Sequence, residues 1–176
     1  EWGFRFLKLD FLYGAARVPH SGRSRGMIMD DAMEFLRTIK GDSVLLGCGV
    51  PLAPASGRVE YCRIGADVAP VWEDRRLKLL GYRERVSTVN SLRSTIGRRQ
   101  LNGRAFVNDP DVYILRSEHH SLSCEEQYTL FLVNRVYGGL LFTSDNPGNY
   151  SDVQLRLYLS QFPLRQVSLI YSDQSM

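Results

Sequence analysis

Two acidic residues, each preceded by a basic one, stand at the carboxyl ends of strand-like apolar runs. Lys8 and Asp10 end the first run, and Arg63 and Asp67 follow a second run much later in the chain. Two carboxylates on different strands can cleave a glycosidic bond when one attacks the anomeric carbon and the other protonates the leaving oxygen. The pattern therefore indicates nucleophilic and acid–base chemistry shared by Asp10 and Asp67.

These two carboxylates need opposite surroundings. A nucleophile must be ionised, and Lys8, on the same strand face, is expected to lower the pKa of Asp10 by charge proximity. Asp67 must hold a proton for the leaving oxygen, which burial and the other carboxylate would favour. Arg63 offers a planar fork that can hold a sugar hydroxyl or position Asp10. The alternative for either cation–acid pair is a plain ion pair closing a barrel layer.

Strand and helix patterns alternate along the chain. Strands are predicted at 4–12, 44–47, 59–66, 105–108, 140–143 and 165–171. Helical periods are found at 27–39, 77–99, roughly 124–137 and 152–161, with Ser121 or Ser123 as the cap of the third. Repetition of this kind predicts a parallel sheet with right-handed crossovers.

The polar residues that follow the strands separate two α/β architectures. A (β/α)8 TIM barrel builds its site from the ends of many strands, whereas a doubly wound sheet uses one switch point and a glycine-rich first turn. No G-x-G-x-x-G motif is present, and Cys48, Asn108–Asp111 and Ser144–Asp145 follow further strands. The sequence therefore predicts a barrel.

A whole barrel needs eight strands and about 250 residues, so we expect only strands 4–8 here. Residues 1–146 are predicted to be the C-terminal half of the barrel. Residues 147–176 are predicted to hold the last barrel helix and the start of a segment that follows the barrel. Upstream sequence would then supply the rest of the barrel. Open sheet edges would otherwise favour a homo-oligomer.

Four ordered blocks resemble the retaining α-galactosidases of glycoside hydrolase family 36, the melibiase group. They are FLKLDFL at 6–12, LGCGVPL at 46–52, RIGADVAP at 63–70 and VNDPD at 107–111. The resemblance implies hydrolysis of terminal α-galactosides such as melibiose or raffinose, by double displacement with retention. It implies neither a metal nor a cofactor. It also implies that residues 147–176 contain the start of a C-terminal β-sandwich.

The resemblance also implies individual roles. Asp10 would be the nucleophile and Asp67 the general acid/base, with a carboxylate separation of roughly 5 to 7 Å. The positions of Lys8, Cys48 and Arg63 match those that line the galactose subsite. The block Asn108–Asp111 would support the rim, although an Asx-Pro turn is an equal alternative.

Two other functions remain open at this stage. The glycosyl-enzyme could be intercepted by a second sugar, as in relatives that synthesise raffinose, because water and sugar compete for one intermediate. Alternatively, the chain could be a non-catalytic piece of a barrel, inactive alone. The sequence does not separate these from hydrolysis.

The composition limits the classes of partner that the sequence predicts. The chain has 176 residues, 44% hydrophobic and 23% charged, with a net charge of +3. These fractions are typical of a globular protein. The net positive charge is small and the arginines are spread along the chain, so nucleic-acid binding is not predicted. No apolar run reaches the roughly 18 residues of a membrane span. Three cysteines without zinc spacing predict free thiols in a reducing, cytoplasmic compartment. The basic segment 75–85 is expected to be the solvated face of an outer helix.

Overall fold

Parallel strands alternate with helices in the computed structural model, which describes residues 3–83 and 85–163. The strands are β1 (Phe6–Leu9), β2 (Val44–Gly47), β3 (Tyr61–Arg63), β4 (Val107–Asp109), β5 (Val112–Tyr113) and β6 (Phe142–Thr143). The α-helices are α1 (Arg25–Ile39), α2 (Leu52–Ala55), α3 (Arg75–Leu79), α4 (Thr88–Gly97), α5 (Cys124–Tyr137) and α6 (Asp152–Leu159). Short 3₁₀ turns cover Leu12–Ala16, Arg99–Leu101 and Pro147–Asn149.

One sheet has the order β1-β2-β3-β4, and β5 pairs with β6, all in parallel. Only Pro110 and Asp111 separate β4 from β5, and Asp111 has a left-handed backbone with φ 75°. β4 and β5 are therefore two halves of one interrupted strand: the first half pairs with β3 and the second half with β6. The described residues thus form five consecutive parallel positions, as predicted for part of a barrel.

The two faces of the sheet differ as the sequence parity predicts. Leu7 and Leu9 pack against the first core, whereas Phe6 and Lys8 lie on the opposite face. The ring of Phe6 packs against that of Tyr61 from β3, with the centroids 5.5 Å apart and the rings tilted by 55°. This second face carries the residues that would point into a barrel.

Two hydrophobic clusters stabilise the sheet. The first lies between β1–β4 and α1–α2 and includes Ala16, Ile28, Met29, Met33, Leu45, Val50, Ala55, Val59, Cys62, Ile64 and Phe106. The second joins α4, α5 and β5 through Leu92, Tyr113, Leu115, Leu130 and Phe131. Trp72 packs against this second cluster, which gives it a structural position.

The cap of α5 is confirmed. The hydroxyl of Ser123 accepts from the Glu126 N–H, and the Glu126 carboxylate accepts from the Ser123 N–H, which forms a complete capping box. Two such reciprocal bonds satisfy donors that the first turn would otherwise leave unpaired. The helix begins at Cys124, as the sequence predicts.

The single helix predicted over 77–99 is wrong. Gly81, with φ +72°, follows α3, and the Ser87 hydroxyl caps a separate helix α4. Between the helices, Arg85 is buried and forms a two-pronged ion pair with Glu73 at 2.7 and 2.8 Å. Arg85 is therefore not part of a solvated helix face, because it ties this loop to the chain after β3.

The remaining expectations concern the C-terminal strand and the state of the cysteines. The predicted strand 165–171 lies outside the described residues, so the β-sandwich and the domain division stay predictions. The three cysteines are free. Within the described part of the chain, no helix combines the length and apolarity needed to cross a bilayer.

Candidate active site

Asp10 and Asp67 line one cavity of about 760 Å³, together with Cys48 and Arg63. The cavity lies at the carboxyl ends of β1, β2 and β3, where a barrel enzyme carries its catalytic groups. Lys8 is exposed near the end of β1 and does not line this cavity, as far as residues 3–83 and 85–163 show. The structure therefore brings together both predicted acids and two of the predicted sugar ligands.

Asp10 is held as an anion by neutral donors. The Cys48 thiol and the Phe11 N–H both hydrogen-bond its carboxylate, the latter at 2.7 Å, and lower the pKa of Asp10. Phe11 adopts a left-handed backbone with φ 53°, so the chain turns directly after Asp10. The charges of Lys8 and Arg63 lower this pKa as well, but less. The lowering expected from Lys8 is therefore present, but the two hydrogen bonds contribute more to it.

Cys48 serves as a thiol rather than a thiolate. Burial, and then the hydrogen bond to Asp10, raise the pKa of Cys48 to about 11. Its backbone is fixed at the edge of the cavity, because its N–H donates to the Leu9 carbonyl at 2.8 Å and its carbonyl accepts from the Leu12 N–H at 3.3 Å. A buried, protonated thiol at this point is a dependable donor to the carboxylate.

Arg63 is buried and forms three ion pairs. Its Nε lies 2.9 Å from Asp109, its Nη1 2.9 Å from Asp67 and its Nη2 2.8 Å from Asp111. Burial alone would lower the pKa of Arg63, but Asp109 and Asp111 raise it overall. Of the two roles expected for Arg63, positioning a carboxylate is observed, and the carboxylate is Asp67 rather than Asp10.

The block Asn108–Asp111 supports the site and also forms a turn. The Asp111 N–H donates to Asp109 Oδ1 at 2.9 Å, which is an Asx turn, while the other oxygen of Asp109 binds Arg63. Asp111 Oδ2 accepts from the Val68 N–H at 2.7 Å. Burial raises the pKa of Asp111, although Arg63 opposes this. Both interpretations of this block are therefore correct together.

Asp67 differs from its expected surroundings. Its side chain is 68% exposed, and its ion-pair partner in the structure is Arg63. The burial expected to keep Asp67 protonated is not provided by the described residues. Its position is nevertheless set, because Val68, the next residue, is bonded to the Asp111 carboxylate.

The loop that carries Asp67 touches helix α4. A Cβ placed on Gly65 would lie 2.6 Å from the Ser94 Cβ, which is closer than side-chain atoms approach one another. Only glycine allows this contact, and it sets the distance between the loop and α4. Residues of α4 consequently form one wall of the cavity.

Sequence reasoning missed Asp109 and Asp111 as partners of Arg63. The available signal was register, since β3 and β4 pair in parallel with Arg63 opposite Asp109. No group of histidine, cysteine and acidic side chains suited to a metal ion is found among the residues described.

Parallel strands that place two acids around one cavity define a site of the type found in (β/α)8 glycoside hydrolases. Comparison with solved structures shows which glycoside hydrolases the chain is similar to. The chain is similar to the α-galactosidase of Thermus thermophilus in complex with p-nitrophenyl α-D-galactopyranoside, with a TM-score of 0.79 and 32% identity over 90% of this chain and 32% of that chain. The same enzyme in complex with stachyose gives 0.78 and 34% identity, over 89% of this chain and 34% of that chain.

The α-galactosidase of Saccharomyces cerevisiae with raffinose has a TM-score of 0.55 and 20% identity, over 76% of this chain and 31% of that chain. At that identity the likeness shows a shared fold alone. No protein-family model matches the chain.

The chain thus spans about a third of the length of the Thermus enzyme. The predicted resemblance to α-galactosidases is confirmed, as is the partial (β/α)8 barrel. The chain folds as part of a barrel similar to that of these α-galactosidases. Assignment to family 36 stays a prediction.

Proposed function

We propose that this chain carries both catalytic acids of a retaining α-galactosidase, with Asp10 as nucleophile and Asp67 as general acid/base. The observation that carries the proposal is that both carboxylates line one cavity of an α-galactosidase-type fold. Their surroundings support different tasks. Asp10 receives two hydrogen bonds that keep it ionised, whereas Asp67 is held by Arg63 with 68% of its side chain exposed.

In the first step, an Asp10 oxygen attacks the anomeric carbon and forms a glycosyl ester. The bond to the leaving oxygen breaks as Asp67 transfers its proton to that oxygen. The Cys48 thiol and the Phe11 N–H hold Asp10 in place. Arg63 Nη1 donates to Asp67 Oδ1 at 2.9 Å and holds that carboxylate.

In the second step, the Asp67 carboxylate takes a proton from water. The water oxygen attacks the anomeric carbon and the ester bond to Asp10 breaks, which restores both carboxyl groups to their starting states. Two inversions give net retention. The chemistry needs no group other than these side chains and water.

We propose terminal α-galactosides of the raffinose series, and melibiose, as substrates. Support comes from the Thermus structures, which contain p-nitrophenyl α-galactoside and stachyose. Galactose would then occupy the space beside Asp10 and Cys48, and the leaving group the side of Asp67.

The proposal is tested on the chain expressed with any sequence that flanks it in its gene. A 2-deoxy-2-fluorogalactosyl fluoride should trap the ester, and peptide mapping should place the label on Asp10. The Asp10→Asn variant should take up no label. A label on Asp67 would reverse the two roles, and absence of both label and turnover would refute the proposal.

The role of Asp67 has its own test. Asp67→Ala should slow hydrolysis of melibiose by about 10²–10⁴-fold. It should slow hydrolysis of p-nitrophenyl α-galactoside much less, because that leaving group departs without a proton. Equal losses on the two substrates would contradict the acid/base role.

A further inference from the structure

Three arginines, Arg83, Arg93 and Arg98, line the cavity on the side that helix α4 provides. We infer that they form an anion-binding subsite for the leaving group, so that the preferred α-galactosides carry a carboxylate or phosphate there. This inference rests on the proposed function, since it specifies the substrate class of the same site. It goes beyond that function because neutral oligosaccharides give such arginines no counter-charge.

The spacing on α4 directs one stripe of side chains into the cavity. On α4, the lining residues Arg93, Ser94 and Gly97 lie three, four and seven residues after the lining residue Asn90, which places them on one helix face. Arg98 follows directly as the C-cap residue. Arg93 and Arg98 both line the cavity, Arg93 from α4 and Arg98 from the C-cap of that helix.

The charge of this wall is not balanced inside the cavity. The carboxylates that line it are Asp10 and Asp67, as far as the described residues show. Asp67 is already paired with Arg63, which is itself neutralised by Asp109 and Asp111. In the described ranges 3–83 and 85–163, no acidic side chain pairs with Arg83, Arg93 or Arg98.

Hydrogen bonds hold the guanidinium of Arg98 and the backbone of Arg83. The Arg98 guanidinium donates from Nη1 to the Ile64 carbonyl at the end of β3, and the Arg98 carbonyl accepts from Asn108 Nδ2 at 3.1 Å. The Arg83 carbonyl accepts from Asn90 Nδ2 at 2.9 Å. A prepositioned guanidinium loses less freedom when it binds an anion.

The arginines lie on the leaving-group side of the site. A general acid must reach the leaving oxygen, so that group leaves the cavity past Asp67. The contact between Gly65 and Ser94 sets α4 directly against the loop that carries Asp67. A carboxylate on the leaving group would therefore come next to the arginines of α4.

The test compares two open-chain substrates that differ in one carboxylate: galactose linked α-1,6 to gluconate, and galactose linked α-1,6 to glucitol. The chain is used with any sequence that flanks it in its gene. We expect kcat/KM to be about tenfold higher for the gluconate compound, as a charge-assisted pair with arginine contributes. Raising the salt concentration should reduce the ratio.

Variants connect the ratio to the arginines. Arg93→Gln and Arg83→Gln should each lower it several-fold while the rate on the glucitol compound changes little. Arg104→Gln is the matched control, because Arg104 is an exposed arginine just before β4, at the opposite end of the strands. A glycerol-phosphate galactoside in place of the gluconate shows whether phosphate is preferred to carboxylate.

Binding separates this inference from the proposed function. Calorimetry with the Asp10→Asn variant should give tighter binding of the gluconate compound, lost on adding Arg93→Gln. That result, even without turnover by the unmodified protein, would support the subsite and refute only the hydrolase. Turnover of the glucitol compound with a ratio near one would refute the subsite and leave the hydrolase standing. Equal binding of both compounds would also refute the subsite.

Discussion

Arg63 Nε lies 2.9 Å from Asp109 Oδ2, and both side chains are buried at the carboxyl ends of neighbouring strands. The two residues are register partners in the parallel pair β3–β4. Asp109 thereby holds the arginine that in turn holds Asp67. A residue with no position in the cavity lining thus determines where a proposed catalytic acid sits.

Asp109→Asn should destabilise the fold by about 3 kcal/mol, because it leaves a buried guanidinium with less opposing charge. Urea unfolding at pH 7 measures this, with the slope expected to stay unchanged. Asp31→Asn is the control, since Asp31 pairs with Arg23 at the exposed surface and should cost less than about 1 kcal/mol. Equal losses from the two variants would show that the buried ion pair has no special weight.

Gly65→Ala should destabilise by about 1–3 kcal/mol, because the new methyl group meets the Ser94 Cβ at 2.6 Å. It should also reduce activity by displacing the loop of Asp67. Adding Ser94→Gly removes the opposing atom and should restore part of both losses. Gly26→Ala, which meets only the Ser24 hydroxyl at 3.8 Å, should be neutral or slightly stabilising. Failure of the double variant to recover would mean that the strain lies elsewhere.

Cys48→Val should move the acidic limb of the kcat/KM profile to higher pH. The thiol hydrogen bond is the largest cause of the lowered pKa of Asp10; without it, the carboxylate protonates at higher pH and the nucleophile is lost earlier. Cys48→Ser keeps a donor and should leave the limb near its original position. Identical profiles for valine and serine would rule out the thiol as the cause.

Asp145 should make stability depend on acid. Burial by itself raises the pKa of this carboxyl, but the Leu115 N–H at 2.6 Å, the Tyr150 hydroxyl at 2.8 Å and Arg116 lower it overall. A folded-state pKa below the unfolded value of about 3.9 stabilises the protein above that pH, and this is lost as pH falls through the folded pKa.

The matching variant is Asp145→Asn. Its deficit in unfolding free energy should be largest near pH 7 and should shrink steadily below about pH 4, as the unmodified carboxylate also becomes protonated. Asp42→Asn, at an exposed position, serves as the reference titration. A deficit that stays constant with pH would show that shape rather than charge is responsible.

Local patterns were sufficient for much of the fold. The strands β1 to β4 lie within or beside the predicted runs, and α5 starts directly after its predicted serine cap. Both signals are carried by residues adjacent in sequence. The two acids were found in the same way, because parallel strands bring their carboxyl ends to one edge.

Long-range pairing explains what local patterns missed. The partner of Arg63 lies 46 residues further along the chain, and the burial of Arg85 depends on Glu73 across a loop. Gly81 broke a helix that periodicity alone continued. Pro110 and Asp111 likewise divide a strand in two, since a carboxylate there has partners that only the folded sheet supplies.

The left-handed turn at Asp111 has a mechanical consequence. Its carboxylate bonds the Val68 N–H and Arg63. The backbone that follows Asp111 continues into β5 and the second hydrophobic cluster. Separation of that cluster from the sheet would break the bonds of the Asp111 carboxylate to Val68 and Arg63. The packing of the second hydrophobic cluster and the position of Asp67 therefore both depend on the turn at Asp111.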